Sequence, residues 1–419
     1  MKILVLGMNY IPEKTAIGPL TADMCQNLVA RGHMIYMITG FPHFPEWHIY
    51  KGYKCKLFSH EILNDVKIRR GFVYVPGKPN PLHRVMYDTS ISISAGINLI
   101  GLSRPKVIIV ISPPLQLVVL ALAAGKIWNV PVLLVIKDIV PDVAISLGML
   151  KNQRVIRSAK KLELFCYLHA DHISVIGQGF MENLLSKQVP KKKISIIPDW
   201  TDTDLIYPMD RMSRFRKKHN ISPDTFVVLY GGNMSFKQGL DNVILAAEQI
   251  QDLTNVQFVL IGQGAARESL FKLAKQLNLS NVSFLPFEPE EMFPDMLAAA
   301  DVLLLNQRAN VSDSVLPCKF LNYMAAGCPV VAAVNGESET ATYLKKACCG
   351  RRVPPEQPSA LAKEVRRLYE DKALRIRLGE NGRRFAEENF GRNKVLNLYS
   401  NLIERLGRSR TTQRVLGQI

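Results

Sequence analysis

Short apolar segments rich in valine and isoleucine alternate with amphipathic segments along most of this chain. In the first half they include KILVLGM, KVIIVIS, VPVLLVIKD and HISVIG, and the segment PLTADMCQNLVARG that follows the first of them has helical spacing. Strands that are apolar on both faces are typical of parallel sheets covered by helices. The pattern therefore predicts a doubly wound α/β domain.

The second half of the chain repeats this alternation, with TFVVLYGGN, VQFVLIGQG, VSFLPF, ADVLLLN and CPVVAA as its apolar segments. Between the halves, the segment 196–208 is rich in Pro, Asp and Thr and predicts a linker. We expect an N-terminal domain of residues 1–205, with a C-terminal helix at about 395–419 packing back on it, and a second domain of residues 206–394. Two such domains in series predict a cleft where the carboxyl ends of their strands meet.

The chain carries a formal net charge of +17, which would attract polyanions or an anionic membrane surface. Basic residues are densest in residues 51–106, which contain KGYKCK and KIRRG. A solvated face and a membrane contact both fit this region. Because no nucleic-acid-binding module and no interleaving of basic with aromatic residues accompanies the charge, we expect no nucleic-acid partner.

The seven cysteines show no CxxC spacing, which argues against a zinc or redox site and favours a reducing, cytoplasmic environment. The N-terminal segment MKILVLGMNYIP lacks the pattern of a signal peptide and is expected to form a strand. The most apolar region, residues 107–136, is interrupted before it reaches the roughly 18 residues that a membrane-spanning helix needs.

Three loops that follow predicted strands carry glycine or lysine, which suits ligand binding at the carboxyl edge of a sheet. They contain Gly18, the pair Gly232 and Lys237, and Lys319. Lys319 falls at the start of a predicted helix, residues 318–326, where unpaired N–H groups already carry positive charge. Its ammonium either lies in water or helps the helix end to hold an anion such as a phosphate. Two lysines at two helix starts of one domain suit a diphosphate.

Other polar motifs have plainer explanations. LIGQGAARESL holds a G-x-G pattern but lacks the third glycine and is not in the first βα unit, which argues against a NAD site. The DTD segment at 202–204 is expected to form a turn in the linker instead of a metal site. The eight histidines are dispersed, and the sequence does not rank them.

The segments KDIVPD, IIPDWTD, GGNMSFKQGL and SVLPCKFLNYMAAG resemble those of GT-B glycosyltransferases of family four. These enzymes transfer sugars from nucleotide donors with retention of configuration. The resemblance covers about residues 1–390 and is strongest, at SVLPCKFLNYMAAG and GNMSFKQGL, to bacterial enzymes of colanic acid and O-antigen assembly, including fucosyl- and N-acetylfucosaminyltransferases. It implies two Rossmann-like domains, a UDP- or GDP-linked hexosyl donor, and neither a cofactor nor a metal ion.

The resemblance to this subgroup also implies a lipid-linked saccharide acceptor and a role in exopolysaccharide, capsule or O-antigen synthesis. Together with the basic first domain, it implies a cytoplasmic protein that is peripheral at the inner face of the plasma membrane.

The sequence departs from the family at its charged positions. The two glutamates that the family places eight residues apart fall on Ser314 and Asn322, and its Arg and Lys fall on Asn233 and Gln238. We expect Lys237 and Lys319 to supply the missing positive charge. The predicted donor-binding residues are Gly18, Gly232, Asn233, Lys237, Gln238, Ser314, Val315, Leu316, Lys319, Asn322 and Glu339.

Roles for these residues follow from their chemistry. Lys319 would stabilise the charge that develops on the leaving diphosphate, aided by N–H groups near Val315 and Leu316. Asn322 can hydrogen-bond to a ribose hydroxyl, and Glu339 either shares this task or lies in an exposed turn. Asp138, at the end of a first-domain strand, is predicted to orient the acceptor. The predicted catalytic residues are Asp138, Lys237 and Lys319.

Two other functions remain open at this stage. A sugar-nucleotide epimerase with a GT-B fold would use the same diphosphate site without an acceptor. A catalytically silent partner subunit of another transferase would explain the missing glutamates.

Overall fold

The computed structural model describes residues 1–14, 17–54, 56–77, 81–142, 145, 150, 152–311 and 316–416. The chain divides into two compact units, Met1–Pro198 with Leu396–Ile419 and Asp199–Val395. Each unit is built on a largely parallel sheet with helices between its strands, so the prediction of two doubly wound α/β domains is confirmed.

The first unit contains an eight-stranded sheet in the order β3-β4-β2-β1-β5-β6-β7-β8. Its strands are β1 Lys2–Leu6, β2 Met34–Gly40, β3 Phe58–Leu63, β4 Val66–Gly71, β5 Val107–Ser112, β6 Val132–Ile136, β7 His172–Val175 and β8 Ile194–Ile196. Its helices are α1 Ile17–Ala30, α2 Pro81–Leu99, α3 Leu115–Trp128, α4 Gln153–His169 and α5 Gln178–Ser186. None of the helices in the described ranges is both long enough and apolar enough to cross a membrane.

A hairpin of β3 and β4, the antiparallel pair at the edge of this sheet, was not predicted. Its turn residues Asn64 and Asp65 both have positive φ, 49° and 60°, as a tight two-residue hairpin requires. The basic segment KIRRG forms β4, and Arg70 within it is only 1% exposed. Its guanidinium pairs with Glu61 and donates to the carbonyl of Gly40. For Arg70, the expectation of a solvated or membrane-facing position is therefore wrong.

The second unit contains a six-stranded parallel sheet in the order β11-β10-β9-β12-β13-β14. Its strands are β9 Phe226–Gly231, β10 Val256–Ile261, β11 Val282–Leu285, β12 Val302–Asn306, β13 Val330–Ala333 and β14 Gly350–Val353. Its helices are α6 Arg214–Lys218, α7 Asp241–Glu248, α8 Arg267–Gln276, α9 Phe293–Ala298, α10 Cys318–Ala325, α11 Glu339–Ala347, α12 Pro358–Glu370 and α13 Lys372–Phe390. The last helix, α14, spans Arg392–Leu416.

The central strand β9 shows why these segments are apolar without a break. Val227 and Leu229 belong to the core on one face of the sheet, and Val228 and Tyr230 to the core on the other. Because helices cover both faces, every side chain of the strand needs to be apolar or internally paired.

The segment predicted as a linker forms a turn and one short pairing. The Asp202 carboxylate accepts hydrogen bonds from the backbone N–H groups of Asp204 and Leu205, both at 3.0 Å, so the prediction that DTD is a turn is confirmed. Thr201 pairs with the segment before α14, donating to the Phe390 carbonyl and accepting from the Arg392 N–H, each at 3.0 Å.

Candidate functional site

The loops after β9 and β10 approach each other so closely that only glycine fits between them. A Cβ atom on Gly262 would lie 1.9 Å from the carbonyl oxygen of Gly232, and one on Gly264 would lie 2.5 Å from the Asn233 side-chain oxygen. Gly262 and Gly264 also have φ values of +145° and +153°, which other residues rarely adopt. This packing explains the G-x-G pattern without a dinucleotide.

The helix α10 begins beside these loops without a side-chain cap. Pro317 occupies the N-cap position, and the first turn contains no acidic residue. The Phe320 N–H donates to the Pro317 carbonyl at 2.9 Å, and an anion at this helix end would take the place that a side-chain cap usually has.

Lys319, in the first turn of α10, reaches back to the end of β9. Its ammonium donates a 3.2 Å hydrogen bond to the Tyr230 hydroxyl and lies 4.5 Å from the centroid of that ring. A Cβ atom on Gly232 would lie 2.9 Å from the Lys319 Nζ atom, so glycine at 232 allows this approach. The side chain is half-buried instead of extended into water, and its role in binding an anion stays a prediction.

Two positive charges act on each other at this edge of the sheet. Burial, and to a smaller extent the positive charge of Lys237, lower the pKa of Lys319 to about 8. Neither lysine forms an ion pair with a carboxylate in the part of the chain that the structure describes. A bound anion would relieve the repulsion between the two ammonium groups. The same described ranges contain no group of three or more His, Cys, Asp or Glu side chains that could hold a metal ion.

Residues from β12 hold the loop that carries Lys237. The side-chain amide of Asn306 donates to the carbonyls of Gln238 and Gly239 at 2.6 and 2.8 Å, and the backbone N–H of Arg308 donates to the Lys237 carbonyl at 3.0 Å. The Arg308 guanidinium is in turn fixed by ion pairs with Asp241 and Glu356. Asn306 and Arg308 were not predicted, although they lie at the carboxyl end of β12, a strand adjacent to β9.

Asn322, on α10, is already engaged by a residue of the predicted linker. Its side-chain oxygen accepts a 2.7 Å hydrogen bond from the Thr201 hydroxyl, which orients the amide. A ribose hydroxyl would therefore meet the Asn322 amide nitrogen. Thr201 carries no signal in the sequence that would have predicted this contact.

The remaining donor-site predictions have different outcomes. Glu339 is the first residue of α11 and only 8% exposed, so it does not lie in the exposed turn, which Gly336 and Glu337 form just before it. Leu316 is half-buried and packs against the core of the second unit. Asn233 is exposed and Gln238 is half-buried. Ser314 and Val315 lie outside the described residues.

Gly18 and Asp138 belong to the first unit. Gly18 is buried in the first turn of α1 instead of lying in a loop, and a Cβ atom there would lie 3.4 Å from the backbone of Tyr10. Asp138 is exposed just beyond β6, next to the buried Lys137. The Lys137 ammonium lies 5.9 Å from the centroid of the Tyr399 ring. The acceptor role of Asp138 stays a prediction.

The first unit also contains a buried polar cluster that the sequence did not reveal. The Glu13 carboxylate, 2% exposed, accepts hydrogen bonds from the backbone N–H groups of Tyr10, His43 and Phe44. The His43 imidazole contacts the Tyr87 hydroxyl at 2.8 Å, and burial lowers the pKa of His43, which favours its neutral form. Glu13 thereby ties together the loops that follow β1 and β2.

Comparisons with known families match both units. Residues 15–200 match the glycosyl transferase 4-like domain, and residues 212–385 match the family described as glycosyl transferases group 1.

Individual proteins of this kind match over nearly the whole chain. The chain is 29% identical to the putative colanic acid biosynthesis glycosyl transferase WcaI of Escherichia coli K12, over 96% of this chain and 99% of that protein. Its fold matches sucrose-phosphate synthase from Thermosynechococcus elongatus with a TM-score of 0.72 and 19% identity, covering 97% and 98% of the two chains. It also matches Anabaena HepE in complex with UDP, with a TM-score of 0.72 and 15% identity, covering 97% and 100%.

Proposed function

This chain combines a glycosyl transferase 4-like domain with a group 1 glycosyl transferase domain in a GT-B fold, and from that premise we propose its reaction. It transfers a hexosyl group from a nucleoside-diphosphate sugar to a lipid-linked saccharide, with retention of configuration, during synthesis of a bacterial surface polysaccharide.

The observation that carries this proposal is the arrangement of Lys319 against the glycine loop. Gly232 leaves space for the ammonium, Tyr230 accepts a hydrogen bond from it, and the first turn of α10 has no side-chain cap. A diphosphate is the part of a sugar nucleotide that these groups would recognise. Lys237, further along the loop that follows β9, brings the second positive charge.

These charges suit the chemistry of the transfer. When the bond between the sugar's anomeric carbon and the diphosphate oxygen breaks, negative charge develops on that oxygen. A preorganised donor that stabilises such charge contributes roughly 3–4 kcal/mol to the transition state. The acceptor hydroxyl attacks from the face that the diphosphate leaves, and its proton passes to the leaving phosphate oxygen. We assign the charge stabilisation to Lys319 and Lys237, without a metal ion.

The other predicted residues take supporting roles in this proposal. Asn322 and Glu339 bind the ribose or sugar hydroxyls, and the N–H groups near Val315 and Leu316 bind phosphate oxygens. Asn233, Gln238 and Ser314 complete the donor side. In the first unit, Asp138 orients the acceptor, whereas Gly18, buried in α1 against the Tyr10 backbone, has no role in this proposal.

The donor nucleotide and the acceptor are proposed from the relatives. HepE, whose fold matches, was solved with UDP and with UDP-glucose, so UDP-linked sugars are the first donors to test and GDP-linked sugars the second. WcaI is named for colanic acid biosynthesis and matches over nearly its full length, which supports a surface polysaccharide as the product. A lipid-linked acceptor places the reaction at the cytoplasmic face of the plasma membrane.

The test is a transfer assay with the full chain. UDP- and GDP-linked sugars are each incubated with polyprenyl-diphosphate-linked saccharides extracted from bacterial membranes. We expect release of one nucleoside diphosphate and an acceptor mass increased by one sugar, with the donor's anomeric configuration preserved in the product by NMR. Conversion of the donor to another sugar nucleotide without acceptor would indicate an epimerase. Absence of any turnover with these donors would favour a silent partner subunit.

A further inference from the structure

Helix α2 exposes an apolar stripe to its surroundings. Its outward side chains, together with one just after its end, are Leu82, Val85, Met86, Ile93, Ile97 and Ile100, which are 46–75% exposed. Most of them are spaced three, four or seven residues apart, so they lie on one side of the helix. A surface helix normally presents polar residues there.

The opposite side of α2 is already packed within the first unit. Tyr87, Ile91 and Ser94 are buried, and a Cβ atom on Gly71 of β4 would lie 1.9 Å from the Ser94 hydroxyl oxygen. The helix therefore has two apolar sides, of which only one belongs to the core. The exposed stripe needs a separate explanation.

Helix α4 mixes positive charge with exposed apolar side chains. Arg154, Arg157 and Lys161 follow one another at intervals of three and four residues, and Phe165 and Leu168 continue the same side of the helix. All five are exposed. None of these three cations forms an ion pair with a carboxylate among the described residues.

Helices α2 and α4 both pack against helix α3. The Ile127 side chain of α3 is 81% exposed. At the end of α4, the Lys193 ammonium donates to the carbonyls of Leu168 and Ala170 at 2.8 and 3.0 Å, which places the exposed Lys191 and Lys192 nearby. We call the exposed side chains of α2 and α4, with Ile127, the α2–α4 face.

We propose that the α2–α4 face docks the protein on an anionic lipid bilayer. This inference rests on the proposed function, because a lipid-linked acceptor lies in such a bilayer. Apolar side chains at the boundary between headgroups and acyl chains, combined with cations near anionic headgroups, are the features by which amphipathic helices bind membranes. The cations of α4, which form no ion pair with a carboxylate among the described residues, favour an anionic lipid surface over an apolar protein partner. From the sequence, a membrane contact is one of two interpretations of the basic residues 51–106. That range contains the apolar stripe of α2, whereas the cations of this face lie on α4.

Vesicle flotation of the full chain tests this proposal. One set of vesicles contains phosphatidylcholine alone, and the other adds about one third phosphatidylglycerol. We expect the wild type to partition at least tenfold more strongly onto the anionic vesicles. The variants Ile93→Ser/Ile97→Ser and Arg157→Glu/Lys161→Glu should each reduce that partitioning at least tenfold. The control variants Ile376→Ser and Lys275→Glu/Lys346→Glu change exposed residues of the second unit and should stay within twofold of wild type.

Equal partitioning onto neutral and anionic vesicles, or wild-type partitioning by both face variants, would overturn the proposal. A change of oligomeric state in Ile93→Ser/Ile97→Ser without any vesicle binding by the wild type would do so as well, because the face would then bind a second copy. Circular dichroism and nucleotide binding are measured on every variant. Vesicle binding without sugar transfer would refute the proposed function while supporting the docking face.

Discussion

Replacement of Lys319 by alanine is expected to lower turnover of the sugar nucleotide at least tenfold, and by about a hundredfold if its ammonium acts as a full transition-state donor. The reason is that the ammonium, held by Tyr230 at 3.2 Å, supplies charge where the leaving diphosphate becomes negative. The fold should remain intact, because the Lys319 side chain is only half-buried. Its substitution also removes a positive charge that burial makes unfavourable. The measurement is the initial rate of nucleoside diphosphate release.

Two further variants serve as controls, one for the charge at position 319 and one for the loss of a lysine elsewhere. Lys319→Arg keeps a cation and should retain more activity than the alanine variant, although its planar group cannot copy the ammonium geometry. Lys345→Ala removes an exposed lysine from the last turn of α11 and should leave the rate unchanged. If Lys319→Ala turned over as fast as wild type with an unchanged melting temperature, the assignment of Lys319 as leaving-group stabiliser would be wrong.

Replacement of Gly262 by alanine is expected to reduce nucleotide affinity at least tenfold and also to lower the melting temperature. The added Cβ atom would lie 1.9 Å from the carbonyl oxygen of Gly232, and the backbone has a φ of +145°. Forcing a side chain into such a conformation costs about 1–3 kcal/mol. Because the neighbouring backbone must move, the space that Gly232 leaves for Lys319 is lost. Calorimetric titration and thermal unfolding measure the two effects.

The control for this variant is Gly32→Ala. Gly32 also has a positive φ, +79°, but a Cβ atom there would meet no atom within 4 Å. This variant should therefore destabilise the chain modestly and leave nucleotide affinity at the wild-type value. Wild-type affinity in Gly262→Ala would show that the loop after β9 does not contribute to nucleotide binding.

The architecture could be predicted because parallel strands covered on both faces are apolar at every position, as Val227, Val228 and Leu229 illustrate. The β3–β4 hairpin could not be predicted, because charged and polar residues interrupt both of its strands. Arg70 can be buried there because Glu61, on the neighbouring strand, pairs with its guanidinium and backbone carbonyls accept its other hydrogen bonds. That pairing depends on strand register, which composition and local pattern do not specify.

In the candidate site, too, features with a local sequence signal could be predicted and contacts between distant segments could not. Gly232 and Lys319 could be selected because a glycine after a strand and a lysine at a helix start are local signals. The residues that contact them could not be predicted, because these contacts join residues that are far apart in the sequence. Thr201 and Asn322 are 121 positions apart in the sequence. Lys319 and Tyr230, whose side chains are hydrogen-bonded, are 89 positions apart.

The central claim is that the Lys319 ammonium and the adjoining glycine loop hold a nucleoside diphosphate. Calorimetric titration of UDP and GDP into the full chain without metal, at pH 7 and at pH 9.5, tests it most directly. Because the pKa of Lys319 is lowered to about 8 in the free protein, its ammonium predominates at pH 7 and is lost as the pH rises. We predict that one of the two nucleotides binds at pH 7 and that its affinity falls by up to about tenfold per pH unit above 8. The Lys319→Ala variant should bind at least tenfold more weakly at pH 7. Binding of neither nucleotide, or equal binding by wild type and Lys319→Ala at both pH values, would contradict the claim.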